Sequence, residues 1–136
     1  ITYMYNFYDK NGKANTDMQK TNDFNDAIFR KFSFSKQPGK PEHVPEIVVT
    51  SSSFTRSNYG NVFVDKLRQR LEVTNGPDLA INFIISTIMN PWLSNTVKGS
   101  FIPQLISIIT GNVSTIANGF KNGTLPEKPS KKNTKK

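Results

Sequence analysis

Between Leu79 and Phe120 the chain carries one charged side chain, Lys98, in 42 residues. A stretch of that length needs cover on more than one side, because a broad uncharged and partly apolar surface associates in water. It divides into 19 uncharged residues from Leu79 to Val97 and 22 from Gly99 to Phe120. A membrane span needs about 20 mostly apolar residues. The runs have that length, but the first contains Asn82, Ser86, Thr87, Asn90, Pro91, Ser94, Asn95 and Thr96. Lipid offers no partner to so many polar groups. The reading that follows is a pair of helices buried on several sides by protein, some of it from another chain. A membrane hairpin packed against other subunits is the alternative. Trp92, just after Asn90-Pro91, can act as an interfacial anchor in either setting.

Helical spacing begins earlier. Phe63, Val64, Leu67 and Leu71 recur with Lys66, Arg68, Arg70 and Glu72 interleaved, which predicts an amphipathic helix. Asn75-Gly76-Pro77 reads as a stop and a restart, with Asp78 at the positive end of the next helix dipole. Asn90-Pro91 repeats the device, and so does Gly99-Ser100 before a helix over Phe101–Thr110. Gly111 and Gly119 punctuate its end. Residues 61–120 are therefore expected to form three to five short helices.

The first 59 residues read differently. Tyr3, Tyr5 and Phe7 alternate within Thr2–Tyr8, the period of a strand, and Asn11-Gly12 marks a turn. Asp23 can cap a short helix to Lys31, with Phe24, Ile28 and Phe29 on one face. Lys31 to Ser35 alternates again. Pro38, Pro41 and Pro45 enforce an extended course, Glu46–Thr50 has strand composition, and Ser51–Asn58 reads as a polar loop. The pattern predicts an α+β fold. An extended, β-containing arm or small sheet spans about 1–59, a compact and mainly α-helical core about 60–120, and a basic tail 121–136. The start at Ile1 is compatible with a chain cut from a precursor, and it lacks the charged-then-apolar pattern of a signal peptide.

Charge is concentrated at one end. The chain has a net charge of +8, of which residues 121–136 contribute six Lys against one Glu. The hydrophobic fraction is 35%, and Asn occurs 15 times, so polar uncharged residues fill much of the chain. The core is then modest, or completed by a partner.

Catalytic chemistry has little to work with. No Cys is present, which excludes disulfides, thiolate metal sites and cysteine nucleophiles. His43 stands between Pro41 and Pro45 without a second His, so it is read as a loop residue and not as a base or metal ligand. Asp23 and Asp26, three apart, read as first-turn helix charge. Tyr8–Gly12 has some calcium-loop composition, but Phe7 and Met18 occupy the places of essential acidic ligands, leaving a turn. Ser51-Ser52-Ser53 lacks a positioned base, and no phosphate-binding or nucleophile-elbow glycine motif occurs. No catalytic residue, metal or cofactor is expected.

Binding features are stronger. Arg30, Lys31, Phe32, Phe34, Lys36 and Lys40 interleave cations with rings, which suits phosphates and bases. The same pattern also describes a strand with Phe inward and Lys outward. Lys66 and Arg70 share a helix face while Arg68 points elsewhere. Either a phosphate-tracking stripe or a solvated helix face fits them. Lys128, Lys131, Lys132, Lys135 and Lys136 form a tail able to neutralise phosphate without sequence preference.

These features point to a non-catalytic structural or assembly protein that contacts nucleic acid and neighbouring subunits, as in a viral coat, nucleocapsid or ribosome-associated protein. Its expected setting is a virion or large nucleoprotein particle. The alternatives are a membrane-complex subunit with 79–120 as a helical hairpin and its tail on anionic lipid, and a secreted binding or toxin-like domain using the sequons at Asn112 and Asn122.

Overall fold

A computed structural model describes residues 1–34, 42, 44–86 and 99–124. Within them lie β1 (Thr2–Tyr3), α1 (Met18–Lys31), β2 (Thr50–Phe54), α2 (Arg56–Tyr59), α3 (Asn61–Arg70), β3 (Ile81–Ile85) and α4 (Ile102–Lys121). The fold is mixed α+β. Its sheet has the order β1-β3-β2, with both pairs antiparallel.

β3 is the centre of the sheet, and it corrects the reading of 61–120 as helical. Uncharged Ile-Asn-Phe-Ile-Ile contains no helix-specific signal, and its three Ile favour a pleated surface. Tyr3 and Ser51 both stand opposite Ile84, and Phe54 stands opposite Ile81. Alternation then sends Ile84 to one face and Ile81 to the other. On Ile84's face lie Phe7, Phe24, Ala27, Ile28, Phe32, Val49 and Phe120. On Ile81's face lie Met18, Val64 and Val73. Helices α1 and α4 thus cover one side and α3 the other. Within the helical hairpin expected over 79–120, residues 81–85 are a strand, and 87–98 lie outside the described residues.

Phe7, Phe24 and Phe120 meet as a triad, with ring centroids 5.2–5.3 Å apart. They come from the N-terminal segment, α1 and α4. Each buried ring contributes about 2 kcal/mol by removal from water. The first 59 residues are consequently not a separate arm, since they supply half the core and both edge strands. The alternation in Thr2–Tyr8 survives as packing. Tyr3 and Tyr5 lean on the first cluster and Met4 on the second, although ladder pairing is confined to Thr2 and Tyr3.

Helix α1 starts earlier than expected. Asp17, not Asp23, is the N-cap, and its carboxylate accepts from the Gln19 and Lys20 amides. Asp23 and Asp26 fall within the helix, where Asp26 accepts from Asn82 Nδ2 at 3.0 Å. The helix end is fixed at Phe32, whose carbonyl accepts from the Val49 amide, and no strand forms over the described part of 31–35. Thr50–Phe54 is the strand where Glu46–Thr50 was expected, and Ser51–Phe54 is not loop. Three serines have poor strand composition; the pairing with β3 overrides it. Ile47 and Val49 still point inward and Val48 outward, as an extended course demands.

Helix α3 matches the expected amphipathic helix, but its end is not at Gly76. It closes in a turn where the Val73 amide donates to the Arg68 carbonyl, with Glu72 at φ 59°. Gly76 instead lets the chain pass the start of α1. Its φ is 91°, and a Cβ there would stand 3.2 Å from the Met18 amide nitrogen. Helix α4 runs through Gly111 and Gly119 and stops at Gly123, whose φ of 76° lets the Thr124 amide reach the Gly119 carbonyl.

Asparagine amides replace missing strand pairing. Asn25 accepts from the Tyr5 amide at 2.9 Å and donates to the Tyr5 carbonyl at 2.8 Å. Asn22 accepts from the Asn82 amide at 2.9 Å and donates to the Ala80 carbonyl at 2.8 Å. Both side chains lie on the buried face of α1. Among the described residues every buried side-chain nitrogen and oxygen has a hydrogen-bond partner. Replacing Asn25 by Ala strands two main-chain groups of Tyr5, at about 1–3 kcal/mol for each group left unsatisfied. Asn25→Ala is expected to lower the urea midpoint strongly, by about 3 kcal/mol of stability. Asn58→Ala, on the surface, should stay within about 0.5 kcal/mol. Equal effects of the two would contradict the role given to Asn25.

Candidate functional site

The outward face of α3 is the place where cations and rings come together. Phe63, Lys66 and Arg70 follow the i, i+3, i+7 spacing of one helix face and are all exposed. Val64 turns away from it, into the second cluster, and half-buried Leu67 borders the stripe on that side. The helix therefore has to present this stripe to solvent.

Its charges are not equivalent. Arg56, just before α3, binds Asp78 through Nε at 2.8 Å and Asp65 through Nη2 at 2.6 Å. Arg68 reaches the same Asp78 at 3.4 Å. Two cations and two carboxylates thus balance on one flank of α3. The hydrogen bond to Asp65, then that to Asp78, holds the Arg56 guanidinium above its usual pKa. The hydrogen bond from Arg56 holds the Asp65 carboxyl below the usual carboxylate range. Both carboxylates are well exposed, so water screens the attraction and the network acts mainly by fixing geometry. Among the described residues, Lys66 and Arg70 meet no carboxylate. The uncompensated charge of α3 is theirs.

Rings extend the stripe toward the N-terminus of α3. Tyr59 stacks on Phe63 at 5.6 Å with 27° between planes. Phe54 meets both edge-on, at 4.8 Å and 5.2 Å, and stacks at 4.0 Å on Phe83 of the central strand. Tyr59 remains 47% exposed and Phe63 41%. The pair is thus anchored at its inner edge and open on its outer side.

At the other end of the stripe, Arg70 lines two shallow clefts. One, of about 340 Å³, is bounded by Thr2, Tyr3, Met4, Leu67 and Leu71. The other, of about 200 Å³, is bounded by Asn6, Phe7, Tyr8, Ala14, Leu71 and Glu72. Asn6 Nδ2 donates to the Leu71 carbonyl at 2.6 Å, which ties the N-terminal segment to the helix end.

Of the residues singled out in the sequence, Lys66 and Arg70 come together with Tyr59 and Phe63. Arg30, Lys31, Phe32 and Phe34 do not join them, being at the end of α1 on the opposite side of the sheet. Phe32 is 2% exposed and belongs to the core, so its ring takes the inward role and no base can stack on it. Phe34 is exposed, and Arg30 and Lys31 occupy the last turn of α1, where cations favour the helix dipole. Lys36, Lys40, His43, Trp92, Lys98, Lys128, Lys131, Lys132, Lys135 and Lys136 lie outside the described residues. The sequence pattern puts Phe63 on the apolar face of the helix, and Tyr59 lies just past the expected loop Ser51–Asn58. Spacing back from Lys66 reaches Phe63, but the break at Gly60 leaves Tyr59 without such a signal.

Among the described residues no three His, Asp or Glu side chains are grouped to hold a metal ion. The turn at Asn11-Gly12 forms as expected, with Asp9 Oδ1 accepting from the Asn11 and Lys13 amides. No protein-family model matches the sequence, and no curated protein matches it.

The ion network has a measurable signature. Arg56→Gln removes the hydrogen bond to Asp65 and is expected to raise the Asp65 titration midpoint toward the ordinary carboxylate value, read from its side-chain carbon shift. A carboxylate lowered in this way supports the fold above its ordinary pKa, and that support is lost as pH falls through the folded value. An unchanged midpoint in Arg56→Gln would contradict the pairing.

Proposed function

We propose that this chain is a non-catalytic structural protein of a nucleoprotein assembly, contacting phosphates through cations and neighbouring subunits through uncharged surface. A single observation carries the reading. Arg56 and Arg68 are neutralised by Asp65 and Asp78, while Lys66 and Arg70, one helical turn apart, are left without a carboxylate among the described residues. Two such cations on a rigid helix present a fixed pair of phosphate contacts. The lysines at 128, 131, 132, 135 and 136 add to the same electrostatic attraction from the sequence side. Helix α4, uncharged from Ile102 to Phe120, supports the second half of the proposal, with Ile102 and Ile106 exposed near its start. Among the described residues no helix is long and apolar enough to cross a membrane.

The test is the salt dependence of binding to a labelled oligonucleotide. Log affinity should fall linearly with log salt, as counterion release requires. Lys66→Gln with Arg70→Gln is expected to weaken binding regardless of base sequence and to reduce the magnitude of the salt slope by about 1–2. Arg56→Gln, whose charge is already committed, should alter the slope little. Absence of binding at low salt would defeat the proposal, as would a double variant with unchanged slope.

A further inference from the structure

We infer that the α2–α3 surface takes single-stranded nucleic acid, with unpaired bases on Tyr59 and Phe63 and the adjoining backbone on Lys66 and Arg70. This rests on the phosphate-binding reading above and adds to it the kind of strand. The argument begins with the rings. Tyr59 and Phe63 together expose nearly half of their surface, beside Val62 at 72%. Exposure of three large apolar side chains within five residues costs free energy unless something covers them. Phe54 supports the pair from beneath, and Phe83 supports Phe54 from the central strand. The platform is therefore held in place before any ligand arrives, which lowers the ordering cost of binding.

The position of the cations selects the occupant. Lys66 follows Phe63 by one turn and Arg70 follows by two, so the backbone positions of Phe63 and Arg70 lie about 10 Å apart along the axis. An extended polynucleotide alternates flat bases with charged phosphates over comparable lengths, and cations beside rings match that alternation. A protein strand offers no regular negative charge, and a duplex offers phosphate but keeps its base faces stacked on one another. Readout of a duplex groove would use amide or guanidinium groups aimed at base edges, not ring faces. Beyond Arg70, the two clefts continue along the N-terminal segment toward Tyr8, itself 60% exposed.

The experiment compares two probes on the full chain at one moderate salt concentration. One is a short oligothymidylate; the other is a hairpin duplex with the same number of phosphates. The single strand is expected to bind about tenfold more tightly, the value of one base stacked on an aromatic ring. Tyr59→Leu with Phe63→Leu keeps apolar contact with Phe54 but removes the flat faces. It should weaken oligothymidylate about tenfold and leave the duplex affinity and the salt slope unchanged. Ultraviolet cross-linking of the unaltered protein to oligothymidylate should place the adduct at Tyr59 or Phe63, which tests the contact without relying on the variant's folding. Equal affinity for the two probes overturns the inference but leaves the phosphate reading standing. So does an adduct confined to other residues, or full single-strand affinity in a folded double variant. Failure of both probes to bind removes the phosphate reading and this inference together.

Discussion

Two asparagine side chains on α1 do the work that a longer sheet would otherwise do. The sheet has only two ladder residues in β1, so the chain around Tyr5 leaves the ladder just as it enters the core. A buried peptide group without a partner is costly, and a Leu at position 25 would leave two such groups at once. Asn25 answers both with one planar amide, since its oxygen and nitrogen match the spacing of a peptide's carbonyl and amide. Asn22 does the same for the chain entering β3. Helix α1 is thereby fixed to the segment that follows the first strand and to the start of the third. Asn6 extends the arrangement, donating to the carbonyls of Asn15 and Leu71 and so joining the N-terminal segment to the end of α3. The abundance of Asn that suggested an incomplete core is, in these positions, part of the core.

What was legible in the sequence follows from which signals are local. The alternation of Tyr3, Tyr5 and Phe7 predicted a common face correctly, because side-chain direction along an extended chain depends on nothing beyond it. The spacing of Val64, Leu67 and Leu71 located α3 for the same reason. The mixed class was legible too. The stretch 81–85 was not, because an uncharged run records burial without recording period: a strand buried on both faces and a buried helix look alike over five residues. Thr50–Phe54 was missed for the opposite reason. Its serines are poor strand formers, and only β3, some thirty residues later, supplies the reason to pair. The cap at Asp17 was overlooked because Asp23 stood closer to the obvious apolar residues, whereas Met18, fully buried at the second cluster, sets the true start.

The candidate site shows a similar division. That Lys66 and Arg70 share a face is arithmetic on the helix repeat. That Arg68 and Arg56 are committed to Asp78 and Asp65 is not, since the partners lie up to 22 positions away. Without that network, four cations near α3 would form one diffuse patch. With it, charge is sorted: a balanced flank that holds the α2–α3 junction and the Pro77-Asp78 turn, and a free stripe on the outer face. The residues at the end of α1 were grouped in the sequence by the same cation-and-ring pattern, yet Phe32 goes inward there. Interleaving alone does not distinguish a packed ring from an open one. The distinction comes from whether the neighbouring turn is needed to cover the sheet.

That requirement also accounts for where the open rings lie. The second cluster is small, and Val64 alone among α3's residues is fully buried in it. A larger cluster would have drawn Phe63 inward, as the first cluster drew Phe32. Phe54 occupies that space, stacked on Phe83, and leaves Tyr59 and Phe63 a floor to rest on without room to enter. The aromatic column therefore runs from the central strand outward and ends at the surface beside two cations that meet no carboxylate among the described residues. Rigidity and exposure come from the same packing: the rings are fixed because the sheet holds their inner edge, and accessible because the core beneath them is already full.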